Sequence, residues 1–149
     1  MKKMAMIILC VALLTTVFIG CSSTKTGDNN GNGSNTSEKE IADLTGEWKQ
    51  ENSKSDDSYQ SATIVDDTIT IYWVTDNGDT KSLYWAGSFV APTDSTEPYS
   101  WDSKNDHSQT ENALLASSDD TKTMTYENGI LSYEASAMGT TTTVKLKKQ

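Results

Sequence analysis

The segment Thr68-Ile69-Thr70-Ile71-Tyr72-Trp73 alternates polar with apolar side chains at a period of two, a pattern that only an extended strand turns into one apolar face. On that face lie Ile69, Ile71 and Trp73. Asp76-Asn77-Gly78-Asp79 follows, and its Asn-Gly pair suits a hairpin turn that needs positive φ. The return strand, 81–90, is expected to place Leu83, Trp85, Gly87 and Phe89 inside. Tyr72 and Tyr84 are expected outside, paired across the hairpin on the solvent side.

The same alternation recurs from Leu44 onward, with turn signals every eight to twelve residues. Strands are expected at 46–51, 60–65, 68–73, 81–90, 99–103, 121–126, 130–135 and 140–147. Asp66-Asp67, Glu127-Asn128-Gly129 and Met138-Gly139 mark turns between them. Only Ala113-Leu114-Leu115-Ala116 reads as a turn of helix. Eight strands joined mostly by hairpins leave two sheet edges, and closing the sheet on itself removes both. The expected fold is all-β, an eight-stranded antiparallel up-and-down β-barrel; a two-sheet sandwich is the alternative arrangement of the same strands.

The inward positions then include Ile64, Ile69, Ile71, Leu83, Phe89, Met124, Tyr126, Leu131, Tyr133, Val144 and Leu146. A barrel of this size is either just filled by side chains or holds one small ligand. Ala62, Gly87 and Ala135 are small, so a ligand site is expected near Gly87, walled by Phe89, Met124 and Tyr133.

Ahead of the strands, Lys2 and Lys3 precede an uncharged apolar run from Met4 to Gly20, the basic-then-apolar order of an export signal. Its length, about 17 residues, is at the lower bound for a membrane span, and no cluster of Lys or Arg follows to arrest it. Phe18-Ile19-Gly20-Cys21 resembles the lipobox of bacterial lipoproteins. The resemblance implies removal of residues 1–20 and a diacylglyceryl group on the sulfur of Cys21. It also implies a cell-membrane location on the extracytoplasmic face, since two acyl chains anchor stably where one is marginal. Residues 21–40 are then the lipidated cysteine and a tether of Gly, Asn, Ser and Thr without a large apolar side chain, and 41–149 the barrel. Cys10 would leave with the signal peptide, so no disulfide supports the domain.

Gly46-Glu47-Trp48, opening the first strand, resembles the Gly-x-Trp signature of calycins, the lipocalin-like barrels whose Trp closes the barrel floor. Ile71-Tyr72-Trp73, Leu83-Tyr84-Trp85-Ala86-Gly87 and Val144-Lys145-Leu146-Lys147 are similar to small lipoproteins of Gram-positive bacteria and their prophages, over residues 41–149. The resemblance implies structural roles for Gly46 and Trp48. It puts Lys145 or Lys147 where the family carries a basic residue over the Trp.

A net charge of -9, with 12 lysines and no arginine, opposes binding to phosphate backbones, so no nucleic-acid partner is expected. His107 is the only histidine and lies in a polar loop; without a second His or a free Cys, neither a metal centre nor a nucleophilic triad can be assembled around it. No catalytic residues, metal or cofactor are expected. The acidic doublets match turn chemistry better than calcium loops. The first reading is a non-enzymatic binding module for a small apolar or amphipathic ligand at the open barrel end. The second is a protein-interaction module that captures a cationic protein, as an inhibitor of a basic hydrolase or a prophage exclusion factor.

Overall fold

A computed structural model describes residues 40–137 and 139–149. The expected signal peptide, Cys21 and the expected tether as far as residue 39 lie outside the described residues. Eight antiparallel strands follow one another: β1 (Gly46–Gln50), β2 (Tyr59–Val65), β3 (Thr68–Thr75), β4 (Thr80–Ser88), β5 (Tyr99–Lys104), β6 (Thr121–Glu127), β7 (Ile130–Ala137) and β8 (Thr140–Lys148). One short helix, α1 (His107–Thr110), lies between β5 and β6. Ala113–Ala116, the expected helical turn, is a hydrogen-bonded turn instead, with Ala116 N–H donating to Ala113 O at 3.1 Å.

The turns obey the chemistry of their residues. Asp66 between β2 and β3 (φ 51°), and Asn128 and Gly129 between β6 and β7 (φ 52° and 82°), take the left-handed backbone that two-residue hairpins need. The strands stand in the order β4-β3-β2-β1-β8-β7-β6-β5. Two four-stranded meanders are therefore joined along β1 and β8, and the sheet curls until β4 faces β5. That last seam carries a single bridge, Gly87 to Asn105. Side chains and loop amides lace the rest: Trp85 Nε1 donates to Ser103 Oγ at 2.9 Å, Trp101 Nε1 to Ser88 O at 3.2 Å, and Asp106 N to Ala86 O at 2.8 Å. The result is a nearly closed eight-stranded barrel.

The register separates two ends. At the first lie the chain entry at Gly46, the β2–β3 and β6–β7 turns and the β4–β5 loop. Leu44 plugs this end, held by Trp48 Nε1, which donates to the Leu44 carbonyl at 3.0 Å. Tyr126 packs edge-on against Trp48, and beside the seam Phe89 meets Trp101 edge to face while Tyr99 stacks on Trp101. Between the ends, Ile64, Ile69, Ile71, Met124, Leu131, Val144 and Leu146 fill the lumen, every one 3% exposed or less. The cluster draws its members from Leu44 to Leu146, so the barrel carries its own core.

Two positions differ from expectation, Leu83 and Tyr84. The β3–β4 register shifts between Ile71 and Tyr72: Ile71 faces Trp85, but Tyr72 faces Leu83, leaving Tyr84 as the extra residue of a β-bulge. Leu83 consequently joins Tyr72 on the outer face and is only partly buried. Tyr84, expected outside, is 2% exposed inside. It packs at 5.4 Å on Trp73 and at 6.3 Å on Tyr133.

Candidate functional site: the second end of the barrel

Gly87 does not border a void. A Cβ built there would lie 2.5 Å from Ser103 Oγ, 2.5 Å from Trp85 Nε1 and 2.7 Å from the Lys104 carbonyl oxygen. The residue is a glycine because β5 approaches closely at the seam. Phe89, Met124 and Tyr133, the other expected ligand residues, are 5%, 0% and 3% exposed and belong to the packed core. Smallness at Ala62, Gly87 and Ala135 accommodates neighbouring large rings and strands rather than a ligand. The expected site is thus filled.

The signature positions have structural neighbours. Trp48 is buried at the plugged end, and Gly46 adopts φ 114° with Lys148 Cε 3.4 Å from where its Cβ would be. Lys148 lies opposite Trp48 in the β1–β8 ladder and donates to the Asp43 carbonyl at 2.7 Å, while Lys147 pairs with Lys49.

At the other end the lumen opens into an apolar recess of about 490 Å³, lined by Trp73, Tyr84, Leu114, Leu115, Ala137 and the 116–117 backbone region. Leu114 is 97% exposed and Leu115 52%. The β5–β6 loop carries these leucines, and Asn105 holds the loop's two ends together. Asn105 Nδ2 donates to Asp119 O at 2.7 Å, its Oδ1 accepts from Thr110 Oγ1 at 2.7 Å, and its backbone N–H donates to Asp120 O at 2.9 Å. Asp106 caps α1, accepting from Ser108 N and Oγ and from Gln109 Nε2. Those bonds, the Ser108 hydroxyl first, hold its carboxyl below the usual range. Ser117 N then donates to Tyr84 O at 2.8 Å, which fixes Ala116 and Leu115 over the bulge.

Beneath the recess the lumen is polar. Gln60, fully buried, accepts from the Tyr133 hydroxyl, while its Nε2 and the Tyr84 hydroxyl have no hydrogen-bond partner among the described residues. Burial, with Tyr84 adding to it, raises the Tyr133 pKa well above the ordinary tyrosine value.

Beside this floor the β6–β7 ladder stops at Thr125 and Ser132, although both strands run on. Lys122 fills the gap, its ammonium donating to Asp119 Oδ2 at 2.7 Å and to Glu134 O at 3.3 Å. Burial works to lower the Lys122 pKa, but Asp119 and the neighbouring Tyr84 hydroxyl outweigh it and the net shift is upward. Reciprocally, the hydrogen bond from Lys122 lowers the Asp119 pKa.

His107 Nε2 lies 3.0 Å from Asp120 Oδ1 at the surface. Among the described residues no three His, Cys, Asp or Glu side chains converge as metal ligands would. The recess was hidden from sequence reasoning because the bulge that turns Tyr84 inward breaks the alternation, and Leu114-Leu115 lies outside any strand. A visible signal existed nonetheless: two consecutive leucines in an otherwise polar loop. No known protein family, curated protein or solved structure matches the chain.

Proposed function

We propose that this chain is a lipid-anchored extracytoplasmic binding protein of calycin-like type, non-enzymatic, that takes a small apolar or amphipathic molecule at the open end of its barrel. One observation carries the reading: the recess between Trp73, Tyr84, Leu114 and Leu115, where a leucine 97% exposed stands at the rim of an apolar cavity large enough for a small ligand. A solvated leucine pair gains by burial on a ligand, at about 25 cal/mol per Å² of apolar surface removed from water. The opposite end is closed by Leu44, Trp48 and Tyr126, so entry is from one side. The lipid anchor rests on Phe18-Ile19-Gly20-Cys21.

The neutral dye N-phenyl-1-naphthylamine tests the site. The domain 40–149 should enhance its fluorescence, and Leu114→Asp with Leu115→Asp should abolish the enhancement with the far-ultraviolet circular dichroism unchanged. Absence of uptake by the unaltered domain refutes the site. For the anchor, Cys21→Ala should leave the precursor uncleaved and unlipidated, read by the intact mass of the membrane-associated protein and by its partition between detergent and aqueous phases. A variant still recovered with detergent after loss of its signal peptide refutes lipidation at Cys21.

A further inference from the structure

The loops around the recess are strongly one-signed. Segments 51–58, 76–79 and 105–120 hold three, two and four carboxylates, nine in all, against a single lysine, Lys54. None of these carboxylates lines the recess itself, but several acids stand beside it. Asp76 follows Thr75 on its wall; Glu111 lines a shallow hollow that shares Ala116 and Ser117 with it; Asp119 and Glu134 line the β6–β7 gap, which shares Ser136. Two of the cations at this end are paired with carboxylates, while Lys54 and Lys81 are exposed. Lys122 has its side chain 5% exposed and bonded to Asp119, and His107 is paired with Asp120.

The wall itself is suited to positive charge. Trp73 and Tyr84 meet edge to face at 5.4 Å and 69° on its wall, with Trp73 partly exposed and Tyr84 buried. The domain's own ammonium already uses such rings, Lys122 Nζ lying 5.3 Å from the Tyr84 ring centre and 5.4 Å from that of Trp85. An apolar cavity with aromatic walls and an acidic rim discriminates between amphiphiles by the sign of their heads.

We propose that the ligand of this recess is an organic cation with an apolar body, an alkylammonium type of molecule, whose chain packs against Leu114, Leu115 and Ala137 while its head lies by Trp73 and the acidic rim. The inference rests on the binding site proposed above and names its ligand class. An anionic amphiphile of the same length meets like charge at the rim and is disfavoured.

The test is displacement of N-phenyl-1-naphthylamine from the 40–149 domain by decyltrimethylammonium and by decyl sulfate, each well below its micelle concentration. The cation should displace the dye at roughly tenfold lower concentration, and the difference should shrink as salt is raised to about 0.5 M. Glu111→Gln combined with Asp79→Asn should narrow the ratio without changing dye uptake, since neither carboxylate holds the loop. Trp73→Leu, which keeps an apolar wall, should weaken the cation more than it weakens the dye. Equal displacement by both amphiphiles, or a preference for the sulfate, overturns the cation inference and leaves the recess standing as a binding site. Failure of the dye to bind at all removes the site and this inference with it.

Discussion

Replacing Gly87 by alanine adds one methyl group at the tightest point of the barrel. Its new carbon would stand 2.5 Å from two side-chain atoms and 2.7 Å from a backbone oxygen, where ordinary contact needs roughly 3.5–4.0 Å. Ser103 Oγ and Trp85 Nε1 are hydrogen-bonded to each other at 2.9 Å inside the core, so neither can swing away without leaving the other unpaired. The Lys104 carbonyl can retreat only if β5 moves, and the residue that follows β5, Asn105, makes the one bridge across the seam, to Gly87. Overpacking of this kind costs about 1–3 kcal/mol, and orphaning a buried donor adds about 1–3 more, so a loss of about 2–6 kcal/mol is expected. That is a large part of the roughly 5–15 kcal/mol that holds a domain folded. Urea denaturation of the 40–149 domain, followed by tryptophan fluorescence, should show a lowered midpoint at unchanged slope. Gly129→Ala is the control: φ is 82° and nothing lies within 4 Å, so backbone strain alone applies, about 1–2 kcal/mol. A loss below about 0.5 kcal/mol for Gly87→Ala would mean that β5 is not packed against β4 as described.

Trp48→Ala, by emptying the plugged end where the indole is 2% exposed, should cost about 3–5 kcal/mol in the same denaturation; less than about 1 kcal/mol would place the ring in solvent. Asp119→Asn should lower the melting temperature near neutral pH. Because Lys122 holds the folded-state pKa of Asp119 below its usual value, that contribution is present above the usual carboxylate range and is lost as pH falls through the lowered pKa. The melting curves of variant and parent should therefore converge in strong acid. A gap constant from pH 7 to pH 2 would contradict the pairing.

Much of the barrel was legible because each strand obeys a local rule. The alternation in Thr68 to Trp73 and the Asn-Gly turn at 128–129 determine period and direction before any tertiary contact forms. What escaped was set by contacts between distant segments. The bulge at Tyr84 arises from pairing with β3 and leaves no mark on β4, so a strict period of two misplaced both Leu83 and Tyr84. Gly87 carries the same lesson. A missing side chain on an inward position signals either a void or a close approach, and only the position of β5 decides which. The candidate recess was the least legible feature, since its rim comes from a polar loop that Asn105 folds back over the barrel end.

The order of the strands places the chain's covalent connections unevenly around the barrel. The first and last strands, β1 and β8, meet in a backbone-paired ladder and need no link, whereas β4 and β5, which share one bridge, are joined by the loop 89–98. That loop holds the two poorly paired strands at a high effective concentration, a role set by its short length rather than by any contact it makes. Cleavage of a single peptide bond within it would break no ladder and empty no core position, yet would convert closure of the seam from a local fluctuation into a much longer search. The nicked barrel is therefore expected to keep its sheet while opening lengthwise between β4 and β5, with the amides of Asp106 and Lys104, which donate across the seam to Ala86 O and Ser88 Oγ, the first to exchange with solvent.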